Sequence, residues 1–504
     1  METALVVLYF AVLLLLCGYG VHRAHLVLLV GRNRRALARA AQTPEISDAD
    51  LPSVTVQLPL YNEATVVARL LEAAATFDYP HDRLEIQVLD DSTDETRSIA
   101  EAKVAEIRRR GIDMVYIRRP NRVGYKAGAL DYGLDRAKGE LIAIFDADFI
   151  PQPAFLRDVA GHFLDQTVGM VQTRWGHLNR NHSMLTSIQA LMLDGHHLVE
   201  NRARFGAGLM FNFSGTGGIW RRAAIHAAGG WQHDTLTEDL DLSYRAQLAG
   251  WRFVYRPDVI TPAELPEDMS AFRAQQFRWA KGTVQTSRKL LGRVMGSQLG
   301  FSQRLEAFFH LTPHFAYPLM VLLSVLLLPA LILMPATDPR MMLVVDLPLC
   351  FGATGSLATF YIVAERSQGR SVWDAVRRLP LLIALGAGLA PHLSRAVYEG
   401  LRSMSGEFVR TPKKGIIAGR YRQHAELPWL EIGLAVLSAA SVATSIETRH
   451  WFAAPFASLF MVGYSYVAWL VVAEQVAGRR AATLARASEP PAEAVEQPVL
   501  SRAA

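Results

Sequence analysis

Leu141-Ile142-Ala143-Ile144-Phe145-Asp146-Ala147-Asp148 sets five apolar residues directly against two carboxylates spaced one residue apart. A run this short and this apolar reads as a strand buried on both faces, with the acidic pair on the turn at its carboxyl end. The same grammar recurs upstream. Val54-Thr55-Val56-Gln57-Leu58 runs into Pro59-Leu60-Tyr61-Asn62-Glu63, Glu85-Ile86-Gln87-Val88-Leu89 ends at Asp90, and Met114-Val115-Tyr116-Ile117 is a third short run. Helical patterns over residues 65–77, 95–110 and 126–136 separate them. Strands alternating with helices predict a mostly parallel sheet covered on both faces, and such sheets bind ligands beyond the carboxyl ends of their strands. Asn62, Asp90 and Asp146 all fall at such ends, which is hard to obtain from packing alone.

Outward from this block the composition changes. The chain has 504 residues, 51% of them hydrophobic, and a net charge of +5, but these values average a charged middle and apolar flanks. Residues 4–30 form an apolar run followed by Arg32, Arg34, Arg35 and Arg39. The charge follows the run, whereas a cleaved signal peptide carries it before, so an uncleaved anchor with its carboxyl end in the cytoplasm is expected. Later apolar runs fall near 313–335, 341–364, 380–400, 427–446 and 451–474. Basic residues flank 380–400 on both sides, and Pro380, Pro391, His392 and Arg395 interrupt it, so residues 370–400 are expected to be interfacial or re-entrant. That leaves five crossings, with external loops at 336–340 and 447–450. The expected domains are an anchor at 1–31, a soluble block at 50–295, interface and membrane helices at 296–475, and a disordered tail at 476–504. No basic stripe with interleaved aromatics occurs, so no nucleic-acid partner is expected. The two cysteines, Cys17 and Cys350, both lie in apolar runs and form no disulfide framework or metal motif.

Within the soluble block, carboxylate motifs follow in order: Asp90-Asp91-Ser92, Asp146-Ala147-Asp148, Thr237-Glu238-Asp239, and then Gln275-Gln276-Phe277-Arg278-Trp279, after which the sequence turns into membrane. This ordered set resembles the processive, cellulose-synthase-like branch of the family 2 glycosyltransferases. The phrases VQLPLYNE, IQVLDDSTDET, NRVGYKAGAL, IFDADF and TEDLDLSYRAQLAGW are similar to the cellulose-synthase-like A and C groups, which make β-1,4-mannan or glucomannan and the xyloglucan backbone. The resemblance implies a cytosolic α/β domain of the GT-A type, nucleotide-sugar-binding, with a mostly parallel sheet, joined to an α-helical transmembrane bundle. The alanine-, leucine- and arginine-rich usage points to a bacterial protein of the inner (plasma) membrane; the expected crossings make it multi-pass, and the resemblance implies a cytoplasmic catalytic domain.

The resemblance also assigns roles. A diphosphate leaving an anomeric carbon gathers negative charge, and Mg²⁺ or Mn²⁺ held by one or two carboxylates plus phosphate oxygens meets it. Asp146 and Asp148 would supply that site, Asp148 as direct ligand; the bland alternative is that both merely shape a turn. Lys126 opens a helix whose N-terminus favours anions, and Gly124 and Gly128 would allow close approach of backbone and ligand. Pro59, Tyr61, Glu63 and Asp90 resemble a uridine pocket, with Asp90 accepting from the imide. Asp239 would be the base that takes the acceptor proton, with Asp241 as competitor by proximity. Arg278 would hold the diphosphate, Trp279 would stack under the acceptor sugar, and Gln275, Glu238 and Ser214 would complete acceptor binding. Gly229-Gly230-Trp231 and Asp234 would shape the approach loop.

Phe408-Val409-Arg410-Thr411-Pro412-Lys413 resembles the gating loop FxVTxK of cellulose synthase, with Arg410 in place of valine, so Phe408, Thr411 and Lys413 in the cytosolic loop 401–426 would close over the nucleotide. The expected reaction is inverting transfer of a hexose from UDP-glucose or GDP-mannose to a growing β-1,4-linked polysaccharide, with translocation of the product and periplasmic or export partners. The alternative is a non-processive enzyme forming a β-glycosyl lipid on diacylglycerol or ceramide. A transporter without catalysis would leave the carboxylate set unexplained.

Overall fold

The computed structural model describes residues 2–40, 42–334, 355–404 and 427–488. Its soluble part is built on a seven-stranded sheet: β1 (Val54–Leu60), β2 (Leu84–Asp90), β3 (Met114–Ile117), β4 (Leu141–Ile144), β5 (Val168–His177), β6 (Gly218–Arg221) and β7 (Arg252–Ala263), in the order β3-β2-β1-β4-β6-β5-β7. Strands β3, β2, β1 and β4 run parallel; β6 is antiparallel to both neighbours, and β5 pairs parallel with β7. The four strands expected from sequence are all present. Successive side chains of a strand point to opposite faces, and β4 shows what this does to an all-apolar run. Leu141 and Ala143 enter one core with Val54, Val56, Leu58, Ile86 and Val88, while Ile142 and Ile144 enter the other. On that second face β1 and β2 carry a buried polar ladder, in which Thr55 donates to Glu85 at 2.7 Å and Gln57 to Gln87 at 3.1 Å.

Five helices among the described residues are long and apolar enough to cross a membrane: Glu2–Arg32, Pro313–Leu333, Val372–Arg402, Trp429–Glu447 and Ala453–Ala477. Four coincide with expected spans. Of the expected 341–364 span only Ser356–Arg366 is described, and its first half, like the 336–340 loop, lies outside the described residues.

Two expectations are corrected. Residues 372–402 form one uninterrupted helix with Pro380 and Pro391 inside it, so the element does not turn back as a re-entrant one must. Tertiary packing overrides the prolines. Gly388 meets Gly463 of the helix Ala453–Ser488 so closely that a Cβ at either position would lie 2.2 Å from a carbonyl oxygen. Both ends of this helix are tied to the sheet domain. Arg370, just before it, lies 3.3 Å from Asp194, and at the far end Glu399 pairs with Lys281 at 3.0 Å while Gln285 donates to the Ser403 carbonyl at 2.9 Å. The last helix runs on to Ser488, so the tail expected to be disordered from 476 begins as helix. Its alanine-, leucine- and arginine-rich stretch has high helix propensity. Residues 489–504 lie outside the described part.

Candidate active site

The sheet order lays out the site. The carboxyl ends of β1 and β2 stand at one side, the turn after β4 in the middle, and the ends of β5 and β7 at the other. Together with the helices Glu238–Leu248 and Met269–Met295 they enclose a cavity of about 210 Å³. Pro59, Tyr61, Glu63, Lys126, Asp146, Asp148, Ser214, Glu238, Asp239, Gln275, Arg278 and Trp279, all expected from sequence, line it. Phe408, Thr411 and Lys413 lie outside the described residues.

Asp90 is the exception. It is 1% exposed, and its two oxygens accept from Ser92 N–H at 2.8 Å and Tyr116 O–H at 2.6 Å. Its neighbour Asp91 lines the cavity instead, gripped by Arg119 at 2.8 and 2.6 Å. Adjacent residues at a strand end face opposite ways, and the sequence alone does not say which faces the ligand. Gly124 and Gly128 also act differently from expectation. A Cβ on Gly128 would lie 2.2 Å from the Val123 carbonyl, so the close approach is between the loop and its own helix.

The centre of the cavity is a charge cluster. Lys126 Nζ lies 2.5 Å from Asp146, 3.9 Å from Glu238, and donates to the Gly215 carbonyl at 2.9 Å. The Asp146 N–H donates to Thr216 Oγ1 at 2.9 Å, which fixes the acidic turn to the loop Phe213–Thr216. Gly215 has φ +83°, and a Cβ there would come within 3.1 Å of the Asp239 carboxylate. Only glycine leaves that carboxylate its room. Burial works against the Lys126 charge, but Asp146 and Glu238 outweigh it and hold the ammonium above its ordinary range. Burial lowers the Arg278 guanidinium from its ordinary range although the surrounding carboxylates hold its charge. Burial and then the Glu238 charge push Asp239 up to about 7.

Among the described residues, four carboxylates, Asp146, Asp148, Glu238 and Asp239, thus face the two cations Lys126 and Arg278. A diphosphate brought beside these carboxylates would be repelled by them. Two carboxylates on one turn, with room beside them for phosphate oxygens, fit a hard divalent cation. No group of three or more potential ligands occurs among the described residues.

Asp241, the rival base, is fully buried. Arg245 holds it at 2.7 Å and Lys289 at 2.9 Å, and it does not line the cavity. Lys289 also reaches Gln232 at 2.7 Å and Asp234 at 2.6 Å, so this group positions the loop that leads into Asp239.

The motif Gln275–Trp279 divides its faces by helical spacing. Gln275, Arg278 and Trp279, at i, i+3 and i+4, face the cavity. Phe277 points the other way, with its ring 5.0 Å from His392 of the helix Val372–Arg402. Trp279 lies 6.5 Å from Trp175, whose edge meets Phe149 at 5.3 Å, giving the β5 end of the cavity an aromatic wall. Sequence reading missed Trp175 and gave Asp91 and Arg122 no role. Trp175 lies near the end of β5, a strand that was not recognised. Arg122 stood inside a quoted motif, but its contact with Tyr61 leaves no local pattern.

Residues 52–282 match the family described as Glycosyltransferase like family 2. Glucomannan 4-beta-mannosyltransferase 2 of Arabidopsis thaliana is 43% identical over 256 residues, covering 50% of this chain and 48% of that protein. Probable glucomannan 4-beta-mannosyltransferase 4 of Oryza sativa subsp. japonica is 34% identical over 395 residues, covering 76% and 69%. The chain spans about half the length of several curated relatives it matches. The solved structure of the mannosyltransferase PcManGT from Pyrobaculum calidifontis in complex with GDP-Man and Mn2+ shares the fold, with a TM-score of 0.54 and 23% identity over 79% of this chain and 99% of that one.

Proposed function

The chain belongs to the family 2 glycosyltransferases, in their cellulose-synthase-like branch, and from that premise we propose that it is an inverting membrane hexosyltransferase that extends a β-1,4-linked polysaccharide of the mannan type and threads it across the bilayer. The observation that carries the reading is the meeting of Asp239, held near neutrality, with Lys126, Arg278 and the Asp146–Asp148 turn around one cavity. The names of the relatives favour a mannosyl residue as the unit transferred.

In this reading the donor's diphosphate lies between Lys126 and Arg278. A divalent cation at Asp146 and Asp148 would supply Lewis-acid stabilisation of the leaving group. Trp279 and Trp175 hold the apolar face of the acceptor sugar, with Gln275 fixing its hydroxyls. Asp239 takes the proton from the attacking hydroxyl, which displaces the diphosphate in one step, so the configuration inverts and no covalent enzyme intermediate is needed. Burial, and then the Glu238 charge, keep Asp239 basic enough to do this near pH 7.

The test is incorporation of label from radiolabelled GDP-mannose or UDP-glucose by purified protein. Label should enter high polymer, only in the presence of Mg²⁺ or Mn²⁺, and in inverted vesicles the polymer should resist added glycanase. Label appearing in organic extract alone would establish a lipid acceptor and overturn the polymer reading.

The domain is proposed to face the cytoplasm, since arginines follow the first helix. Both ends of the helix Val372–Arg402 are tied to the domain, which supports an interfacial position. In a background lacking Cys17 and Cys350, Arg402→Cys should resist membrane-impermeant thiol reagents in intact cells while His450→Cys reacts. Labelling at position 402 from outside would mean that the helix crosses.

A further inference from the structure

The helix Met269–Met295 runs on well past the residues it turns toward the ligand. Gln275, Arg278 and Trp279 line the cavity from its first half. Gly282, Gln285, Thr286 and Lys289 follow at i, i+3, i+4 and i+7, so they extend the same stripe down one face of the helix. This lower half of the stripe meets the segment 236–238, which leads into Asp239. A Cβ on Gly282 would lie 2.6 Å from Thr237 Cγ2 and 2.9 Å from its backbone nitrogen, so the segment rests directly on the helix backbone. Thr237 stands at the N-cap of the helix Glu238–Leu248, yet its hydroxyl meets Thr286 Oγ1 at 3.1 Å instead of capping its own helix. Lys289 then holds Asp241, in the first turn of that helix, at 2.9 Å.

Gln285 is the centre of this contact. It is fully buried, and its amide is divided between two parts of the fold. Oε1 accepts from the Leu236 N–H at 2.9 Å, and Nε2 donates to the Ser403 carbonyl at 2.9 Å, just past the helix Val372–Arg402. An apolar side chain there would leave the Leu236 N–H without its acceptor and the Ser403 carbonyl without its donor. One amide thus ties the turn ahead of Asp239 to the helix that carries Arg278 and to the end of a bundle helix.

We propose that Gln285 is a positioning residue for proton transfer, setting where Asp239 stands relative to Arg278 and Trp279 on its own helix. It does not line the cavity, so it acts through Asp239 and not on the ligand. This rests on the transferase reading with Asp239 as base. In that step the acceptor oxygen bonds to the anomeric carbon, its proton passes to an Asp239 carboxylate oxygen, and the diphosphate leaves with the electron pair of the broken bond. Displacing a reacting group by about 1 Å can cost about 10²-fold in rate. Donor binding rests on Lys126, Arg278 and the acidic turn, so it should survive the change.

Steady-state transfer and calorimetry on the full chain in detergent with Mn²⁺ test this, comparing the wild type with Gln285→Leu. With whichever of GDP-mannose and UDP-glucose the wild type uses, kcat should fall about 10–10²-fold. KM for that donor and affinity for its nucleoside diphosphate should change less than about twofold. In the Asp239→Asn background the same substitution should cost less than about twofold of the turnover that remains, because the base it positions is gone. Thr286→Val breaks the contact with Thr237 and should show the same split on a smaller scale, so the test stands even if Gln285→Leu fails to fold. Parallel loss of kcat and donor affinity, or multiplicative losses in the double variant, would make Gln285 a general brace of the fold and overturn the proposal. Unchanged kcat in Gln285→Leu, or in Thr286→Val should the first not fold, would overturn it too and leave the transferase reading standing. A wild type that transfers no hexose from either donor would overturn both readings at once.

Discussion

Two buried charge clusters sit on either side of β5, and they are built to opposite rules. In the cavity, four carboxylates face Lys126 and Arg278. Between the domain and the membrane helices, Asp194 and Glu365, both at most 1% exposed, are met by Arg180 and Arg370. The second cluster is balanced, and each arginine spans both carboxylates: Arg180 bonds Asp194 and reaches Glu365 at 2.7 Å, and Arg370 lies 3.3 Å from Asp194 and 3.5 Å from Glu365. Buried charge is tolerated when it is paired. A balanced cluster is therefore complete as it stands and joins two parts of the fold, whereas a cluster rich in carboxylates beside a cavity can take up a cation or a ligand. Strongly perturbed carboxylates in a cleft carry the same message.

The largest break should come from the unbalanced side. Asp239→Asn removes the base while keeping shape and donor site, so turnover should fall ~10²–10⁴-fold with nucleotide binding nearly intact. Turnover above a tenth of wild type would show that another group takes the proton, and Asp241, locked by Arg245 and Lys289, would be a poor substitute.

Breaking the balanced cluster should leave chemistry less affected than folding. Arg180→Ala leaves Arg370 to face both Glu365 and Asp194, and breaking a buried ion pair costs about 3–5 kcal/mol. Thermal unfolding in detergent should show the loss, and adding Glu365→Gln should recover part of it. A melting curve unchanged in the single variant would mean that water reaches the cluster, and the contrast between sealed and open charge would fail.

The difference between the clusters also explains what could be read in the sequence. Strands β1 to β4 were legible because each is a short apolar run closed by a polar turn. β6 was not: it has four residues and ends in Arg221, a charge that reads as surface but is 3% exposed, bonded to Glu140 and to the Phe163 and Val168 carbonyls. The cavity residues sit in motifs, so Asp146, Asp239 and Arg278 could be named in advance. Asp194 and Glu365 come from two helices and Arg180 and Arg370 from two loops, and no local pattern announces their pairing. Pro380 and Pro391 misled because a proline's cost to a helix is local, while the packing that offsets it comes from a helix more than seventy residues later.

The smallest effect expected is also the one that reports directly on imbalance. Burial and the Glu238 charge raise Asp239 to about 7 in the folded protein, from an ordinary value of 3.8. A base works only when deprotonated, so kcat/KM should rise about tenfold per pH unit below 7 and level off above it. Stability has the opposite sign. Between the unfolded and folded values the native state binds the proton more tightly, so this group's contribution is full below about pH 4 and is lost as pH rises through 7. Activity should therefore climb over the same window in which the group's stabilising contribution fades. Asp239→Asn, neutral throughout, should keep its stability at pH 8 and lose the rising limb from whatever activity remains. Glu238→Gln removes one source of the shift, so its rising limb should move to lower pH. A limb that stayed in place in Glu238→Gln would mean that the neighbouring charge does not set the base's pKa, and the unbalanced cluster would then serve the ligand alone.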